Sequence, residues 1–324
     1  MVSLAPPKKL FLLDGMALAY RAHFAFGKNP IVNSKGVNTS ALFGFTQVIL
    51  DLQKNHAPTH LAVAWDTSAP TARHVEFPDY KAHRAEMPDD LSAALPLLRR
   101  LLDALRVAQL ASDGHEADDI IGTLVKRAES ENFASYMVTF DKDFGQLVSN
   151  KTFLFKPPRG GEGGEILGVP EILKRWNIAS PAQVVDVLAL MGDASDNIPG
   201  VPSIGEKTAM KLIGQFGSVE NLLAHADELT GKLKDNLLNH RADAELSKRL
   251  ATINCAVPLT LALEDLRAQP FDEALLKPLF HELEFTTLGR RIFGDDWKLE
   301  RTPAPVKKAD KPAAEAELDL FGGK

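Results

Sequence analysis

The chain of 324 residues contains a single cysteine, Cys255, and no apolar stretch of the length that crosses a membrane. One cysteine excludes an internal disulfide framework and a zinc site built from several thiolates. The apolar run at residues 10–13 is too short for a signal peptide or a transmembrane span. These absences lead us to expect a cytosolic protein that has no membrane partner.

The net charge is weakly negative, at −6, and the nine histidines are scattered along the chain without an assignable role. A negative net charge usually argues against a nucleic-acid partner. Nine of the acids, however, are concentrated at the ends of predicted strands and in turns. Without these nine acids the net charge would be positive. The net charge therefore does not exclude a polyanionic partner.

Apolar segments of strand length alternate with helix-like segments in the first half of the chain. We predict strands over residues 9–13, 61–65 and 135–140 and helices over 91–105 and 120–128. This alternation predicts an α/β fold with a mostly parallel central sheet flanked by helices. The predicted strands lead into Asp14, Asp66 and Asp141. Ligands of such sheets bind beyond the carboxyl ends of the strands, where these aspartates would lie.

The second half of the chain has a different pattern. Strand-like segments stop near Lys156, and a glycine-rich turn follows at 159–165. We expect a last short strand or sheet edge after this turn. From Pro170 to about Gly294 the pattern is helical, with short glycine and proline breaks. We therefore predict an α/β core over residues 1–170, a helical subdomain over 171–294 and a disordered tail over 295–324.

Nine acids stand at strand ends or in turns that contain glycine. They are Asp14, Asp66, Glu116, Asp118, Asp119, Asp141, Asp143, Asp193 and Asp196. Taken singly, each is explained by a helix cap or a turn, where aspartate is favoured. Three of them fall within four positions of the sequence HEADDIIG at 115–122, where ionised carboxylates repel one another unless a cation or base compensates. The recurrence at strand ends favours a metal site.

An all-oxygen ligand set without histidine or cysteine is typical of Mg²⁺ or Mn²⁺. Two such ions about 4 Å apart hydrolyse phosphodiesters, because they lower the pKa of the attacking water and stabilise the developing charge. Nine acids exceed what one magnesium ion needs, which favours two ions. Glu116 and Asp118 can reach one centre only if a helix begins near Ala117, with Glu116 just before its first turn.

Four motifs follow one another in order: VAWD at 63–66, GHEADD at 114–119, TFDKD at 139–143 and LMGDASDNIPG at 190–200. Over about residues 8–294 the chain resembles the 5′-nuclease domain of bacterial DNA polymerase I, a member of the flap endonuclease family. The resemblance implies a first metal cluster of Asp14, Asp66, Glu116, Asp118 and Asp119. It implies a second of Asp141, Asp143, Asp193 and Asp196. Trp65 and Phe140 depart from the family pattern beside these ligands, which concerns local packing.

A basic segment follows Asp66 and resembles the start of the family's helical arch, which we place near residues 70–95. The free 5′ strand passes through or beneath this arch in the family. The resemblance implies three phosphate-binding residues, Arg73, Lys81 and Arg84. Lys81 and Arg84 would act nearest the scissile phosphate, and Tyr80 would stack on a base. Arg21 matches a further basic position and is assigned to catalysis, with a buried ion pair as its alternative role.

Residues 192–215 resemble the family's helix–three-turn–helix motif, which binds duplex DNA and can hold K⁺ through backbone carbonyls. Glycine-rich turns expose backbone N–H groups, and the next helix presents its positive end to phosphate. The implied DNA ligands are Gly200, Ser203, Gly205, Lys207, Thr208 and Lys211. Ser203 stands where glycine is common, and it would be strained if the position requires positive φ.

The tail contains the peptide ELDLF at 317–321, which resembles the short motif that docks bacterial replication proteins on the sliding clamp. Leu318, Leu320 and Phe321 would fill an apolar groove. Glu317 departs from the usual glutamine, and a chance apolar cluster is the alternative interpretation.

Together these features predict a monomeric, structure-specific 5′-3′ exonuclease and 5′-flap endonuclease of the bacterial cytosol, active in DNA replication and repair. Its substrates would be flaps, nicks and RNA primers on DNA, and it would be a stand-alone nuclease or work beside a separate polymerase. It would use two Mg²⁺ ions, which Mn²⁺ could replace. The alternatives are a DNA-binding scaffold with weak activity and a PIN-like ribonuclease, which would lack the arch and the helix–three-turn–helix.

Overall fold

A computed structural model of the chain describes residues 8–158 and 163–299. Within these residues six strands form one sheet: β1 (Lys8–Asp14), β2 (His60–Ala64), β3 (Ala108–Leu110), β4 (Phe133–Val138), β5 (Thr152–Lys156) and β6 (Glu165–Leu167). The spatial order is β3-β2-β1-β4-β5-β6, with the first five strands parallel and β6 antiparallel to β5. The mostly parallel sheet expected from the sequence is confirmed, with β3 as a strand that the apolar pattern did not predict.

Helices cover both faces of this sheet. In the described part of the chain they are α1 (Gly15–Ala25), α2 (Ser40–His56), α3 (Ala72–Glu76), α4 (Asp89–Ala104), α5 (Ala117–Ser130), α6 (Val169–Trp176), α7 (Val184–Met191), α8 (Glu206–Phe216), α9 (Val219–Ala224), α10 (Gly231–Asn239), α11 (Arg241–Ala251), α12 (Glu273–Glu282) and α13 (Thr286–Phe293). None of the helices in this part of the chain combines the length and apolar character that crossing a bilayer requires.

The central strand β1 explains how the two helical layers are held. Leu10 and Leu12 pack in an apolar cluster with residues of α5, α7, α8 and α11, whereas Phe11 and Leu13 pack with residues of α1, α2, α4 and α12. A parallel strand that is covered on both faces is apolar throughout, as this one is. The parallel register aligns Leu13 with Val63 and Val138, so the three strands end together at one edge of the sheet.

The helical region of the second half shares its apolar core with the sheet. Ile213 of α8 and Leu250 of α11 share one apolar cluster with Leu10, and Phe280 of α12 shares the other with Phe11. The predicted boundary at residue 170 falls inside α6, which spans Val169–Trp176. The sheet therefore serves as a common apolar support for helices from both halves of the chain.

The segment expected to form a helical arch, near residues 70–95, takes another form. Residues 77–88 are turns and extended chain between the short helix α3 and the start of α4 at Asp89. Pro78 and Pro88 bound this segment, and the backbone of Lys81 has a φ of 59°. Proline and a left-handed residue both interrupt a helix, which is the physical reason for the correction.

The loop between α7 and α8 forms a tight hairpin at residues 192–205, in agreement with the expected helix–turn–helix arrangement. Gly192 and Gly200 have φ values of 68° and 62°, and their backbones pack against each other. A Cβ atom at Gly200 would lie 2.5 Å from the backbone nitrogen of Gly192. Glycine is therefore required at this crossing for both conformation and space.

Most of the tail predicted over residues 295–324 and the proposed clamp-binding residues Leu318, Leu320 and Phe321 lie outside the described residues, which end at 299.

Candidate active site

The first acid of the site, Asp14, is fixed where β1 passes into α1. It is the last residue of the strand and caps the helix by accepting a hydrogen bond from the backbone N–H of Ala17 at 3.1 Å. Its other carboxylate oxygen accepts a hydrogen bond from the hydroxyl of Thr139 at 2.9 Å. Thr139 was not predicted as a site residue, although it stands two positions before Asp141 in the TFDKD motif.

The second group of acids surrounds the start of α5. This helix begins at Ala117 with Glu116 as its N-cap, three residues before the predicted start, and so meets the condition under which Glu116 and Asp118 can reach one centre. The N–H of Ala117 donates to Asp66 at 2.9 Å, which ties the end of β2 to this helix. Glu116 accepts hydrogen bonds from the Nζ of Lys81 at 2.8 Å and from the hydroxyl of Tyr80 at 3.1 Å.

The third group lies in the turns that follow β4 and α7. The backbone N–H of Asp143 donates to Asp141 at 2.9 Å, which folds the TFDKD motif into a compact turn. In the SDN turn, Asp196 forms an ion pair with Arg84 at 2.6 Å. Asp193 is held by Lys142, whose ammonium bridges the two turns. Basic side chains therefore neutralise several of these acids.

One cavity of about 560 Å³ at the carboxyl edge of the sheet collects most of the predicted metal ligands. Seven of the nine acids line it: Asp14, Asp66, Glu116, Asp118, Asp141, Asp143 and Asp196. Lys81, Arg84 and Tyr20 line the same cavity, whereas Asp119 and Asp193 do not. The structure thus brings acids from five separate stretches of the sequence into one space, as their location at strand ends and in turns predicted.

The pKa values of these acids show that crowding makes ionisation of their carboxyl groups less favourable. Burial, together with the nearby carboxylates of Asp66 and Asp141, raises the pKa of Asp14 to about 7. Burial and the neighbouring Asp141 raise the pKa of Asp143 to about 8. Burial also raises the pKa values of Asp118 and Asp141. A divalent cation would remove this cost, because it favours the ionised form of every carboxylate around it.

The donor set fits a hard cation, since seven carboxylates line the cavity, whereas His83 is its one histidine and no cysteine lines it. Within residues 8–158 and 163–299, no three acidic, histidine or cysteine side chains are placed around one point as a ready coordination shell. Several cavity acids instead accept hydrogen bonds from Lys81, Arg84, Thr139 or backbone N–H groups. Metal binding would therefore require some of these carboxylates to exchange partners.

Asp119, predicted as a metal ligand, has a different role in the structure. It is only 3% exposed, and both of its oxygens accept from the guanidinium of Arg73, at 2.8 and 3.0 Å. The backbone N–H of Asn254 donates to the same carboxylate at 2.8 Å. With its oxygens occupied by these donors, Asp119 is a buried anchor outside the cavity in this structure.

Arg73, predicted to bind phosphate, is the partner of that anchor. It is 8% exposed, and it also donates to the backbone carbonyls of Leu250 and Thr252, each at 2.9 Å. Although burial opposes its charge, the acids around it raise its pKa, with Asp118 as the strongest influence. Arg73 therefore cross-links α3, α5 and the end of α11, and a phosphate in solvent cannot reach its guanidinium in this conformation.

Tyr80 and Arg21 also differ from their predicted roles. Tyr80 is 4% exposed and donates its hydroxyl to Glu116, so it cannot stack on a base as placed. The guanidinium of Arg21 lies 3.5 Å from the centroid of the Phe140 ring and lines a separate, smaller pocket. Arg21 is therefore outside the acidic cavity, and Phe140, the unusual residue of the TFDKD motif, is the ring on which it packs.

The predicted DNA ligands of the hairpin separate into buried and exposed members. The N–H of Gly200 donates to the hydroxyl of Ser247 at 2.9 Å, so it is not available to a phosphate. Ser203 has a φ of 68°, which confirms the condition under which it was expected to be strained. Lys207 and Lys211 are exposed and stand one turn apart on α8. The partly exposed Thr208 and the helix N-cap Gly205 complete this end of α8.

Comparison with protein families shows the family to which this chain belongs. A family model described as 5′-3′ exonuclease, N-terminal resolvase-like domain, matches residues 9–177. A second, described as 5′-3′ exonuclease, C-terminal SAM fold, matches residues 179–274. The chain belongs to the 5′-3′ exonuclease family. The resemblance stated from the four acidic motifs is thereby confirmed.

Individual relatives of this 5′-3′ exonuclease chain agree with the family match. It is 42% identical to DNA polymerase I of Bacillus caldotenax over 315 residues, which cover 97% of the chain and 34% of the relative. It is 42% identical to that of Bacillus subtilis over 296 residues, 91% of the chain and 33% of the relative. The chain thus spans about a third of the length of these relatives.

A solved structure supports the same fold at lower identity. The bacteriophage T5 flap endonuclease, determined as a pseudo-enzyme–product complex with DNA and metal ions, matches with a TM-score of 0.62 and 20% identity. The match covers 86% of the chain and 100% of that protein. It confirms the sheet and the arrangement of helices of this exonuclease fold.

Replacing Arg73 by Met is expected to lower the free energy of unfolding by about 3–5 kcal/mol, because the substitution leaves Asp119 buried without its cation. The midpoint of urea unfolding measures this change. The control is Arg175→Met, which removes an exposed ion pair with Glu206 and should change the stability by less than about 0.5 kcal/mol. Equal stability of the two variants would contradict the anchor role of Arg73.

The stabilising effect of Mg²⁺ is expected to grow with pH. The folded-state pKa values of Asp14 and Asp143, about 7 and about 8, lie above the ordinary aspartate value, so ionising these groups destabilises the metal-free protein. The metal-free protein therefore loses folding stability as the pH rises from about 4 to about 8, and bound Mg²⁺ would offset this loss. The increase in Tm on adding Mg²⁺ should be at least about 3 °C larger at pH 8 than at pH 5.5. NaCl of equal ionic strength is the control, and equal shifts at both pH values would refute the expectation.

Proposed function

We propose that this member of the 5′-3′ exonuclease family is a structure-specific nuclease that hydrolyses phosphodiesters at 5′ flaps, nicks and other junctions of single- and double-stranded DNA. RNA primers annealed to DNA would be cut in the same way during replication and repair. The observation that carries the proposal is the single cavity in which seven carboxylates and two basic side chains meet at the carboxyl edge of the sheet. This combination can hold both cations and a phosphate.

We infer that two Mg²⁺ ions, or Mn²⁺ in their place, are held by the cavity acids, with Asp14, Asp66, Glu116 and Asp118 on one side and Asp141, Asp143 and Asp196 on the other. When bound, such ions lower the pKa of water and stabilise the charge that develops on the phosphate. Asp193 would contribute after releasing Lys142. Asp119 would support the first group from behind, through its contact with the N–H of Glu116.

The two basic residues of the cavity are in position to exchange partners when a phosphate enters. Lys81 is paired with Glu116, and Arg84 with Asp196. Cations bound by the acids would release both side chains, and the phosphate would then accept their hydrogen bonds. Arg84 can grip two phosphate oxygens with its planar fork, whereas Lys81 supplies a compact charge.

The duplex part of the substrate would lie against the start of α8. Its exposed residues Lys207 and Lys211 present positive charge, and the helix N-terminus adds its dipole. These groups recognise the phosphate backbone and carry no sequence information, which suits an enzyme that selects structure. We retain K⁺ as a proposed ligand of the hairpin carbonyls, and dependence of duplex affinity on K⁺ over Na⁺ would test it.

Cleavage of a 5′-flap duplex in Mg²⁺ tests the proposed activity. We expect Asp141→Asn to lower the cleavage rate by about 100-fold or more, because it removes a cavity charge with little change in volume. Asp227→Asn, at an exposed position outside the cavity, is the matched control and should cleave like the unaltered protein.

The same assay separates the proposal from its alternatives. Binding of the flap without cleavage in either Mg²⁺ or Mn²⁺ would indicate a scaffold. Cleavage of single-stranded RNA in preference to the flap would indicate a PIN-like ribonuclease. Either result would overturn the proposed function.

A further inference from the structure

Two segments that line the acidic cavity are joined by a pair of hydrogen bonds. The side-chain amide of Asn197 donates to the backbone carbonyl of Asp79 at 2.7 Å. The backbone N–H of Lys81 donates to the backbone carbonyl of Asp196 at 2.9 Å. We call these two hydrogen bonds the clasp. It connects the loop before α4 to the hairpin after α7, which lie more than a hundred residues apart in the sequence.

Both sides of the clasp have left-handed backbone conformations. Lys81 has a φ of 59° and Asn197 a φ of 56°. Asparagine tolerates this region better than other residues, whereas lysine is strained there by about 1–2 kcal/mol. A residue in a strained backbone conformation persists only where surrounding contacts hold it there. The clasp provides such contacts, because its hydrogen bonds are made by the N–H of Lys81 and by the carbonyl of Asp79. The clasp thus accounts for the conformation of Lys81.

The conformation of Lys81 determines where its charge lies. From this backbone its Nζ reaches Glu116 at 2.8 Å and lies 4.0 Å from Asp196, with the side chain mostly buried. A right-handed or extended backbone at residue 81 would direct the Cα–Cβ bond elsewhere. The position of the ammonium among the cavity acids therefore depends on the left-handed turn.

We propose that Asn197 is a positioning residue for the reaction, acting through Lys81. The proposal rests on the nuclease function proposed above. Asn197 is not among the residues that line the cavity, so it would act at a distance from the phosphate. Its amide donates to a segment 118 residues earlier and not to its own turn, which separates this role from ordinary turn formation.

The test replaces Asn197 by Gly, which keeps access to the left-handed conformation and removes only the amide. In cleavage of the flap duplex, we expect kcat to fall by about 10- to 100-fold while KM stays within about two-fold, because a misplaced group costs rate more than binding. Asn197→Asp should not rescue activity, since it keeps the shape and left-handed tendency but offers no donor to Asp79. Tm values of both variants identify any general loss of structure.

A double-mutant cycle with Lys81→Ala decides whether Asn197 acts through Lys81. In the Lys81→Ala background, Asn197→Gly should lower kcat by less than about two-fold. A full additional loss in that background would show a separate structural role and overturn the proposal, as would an unchanged kcat in Asn197→Gly alone.

A crystal structure of Asn197→Gly gives a readout that does not depend on activity. We expect Lys81 to leave its left-handed conformation and its Nζ to leave Glu116. An unchanged Lys81 would overturn the positioning role whether or not the protein cleaves DNA. Absence of cleavage by the unaltered protein would instead refute the nuclease function.

Discussion

Repulsion between carboxylates crowded into one buried cavity is the interaction on which the rest of the structure depends. Parallel strands in register end together, so an acid at each strand end is brought next to the others. The resulting repulsion makes ionisation unfavourable, as the raised pKa values of Asp14 and Asp143 show. Basic side chains offset part of it, with Arg73 buried beside the cavity and Lys81 and Arg84 lining it. The remaining charge is what a pair of divalent ions would neutralise.

Local periodicity explains which parts of this arrangement could be predicted from the sequence. Apolar strands that lead into Asp14, Asp66 and Asp141 predict a shared edge. The start of α5 at Ala117 meets a condition that the sequence sets for Glu116 and Asp118 to reach one centre. Roles that depend on contacts distant in sequence could not be predicted. Arg73 is a phosphate ligand by motif, but its donors are satisfied by carbonyls about 180 residues later in the chain. Asp119, Tyr80 and Arg21 likewise make contacts in the structure that their motifs do not predict, with Arg73, Glu116 and Phe140 respectively.

The basic residues have different roles because they are buried to different extents. Arg73 is enclosed, pairs with Asp119 outside the cavity and with the cavity acid Glu116, and stabilises the start of α5. Lys81 and Arg84 pair with cavity acids and are the groups that incoming cations would displace toward a phosphate. The clasp through Asn197 joins this loop to the hairpin that leads into α8, where Lys207 is exposed. The proposed duplex contact at α8 and the proposed chemistry at the sheet edge are thereby connected through a short path of backbone.

The most direct test of the account is the location of bound Mn²⁺ by anomalous X-ray diffraction from crystals of the protein. The account predicts two anomalous peaks in the cavity, about 4 Å apart, between the group of Asp14, Asp66 and Asp118 and the group of Asp141 and Asp143. It also predicts that Asp119 remains bound to Arg73, without contact to either peak. No peak in the cavity, or an ion bound directly by Asp119 after displacing Arg73, would contradict it.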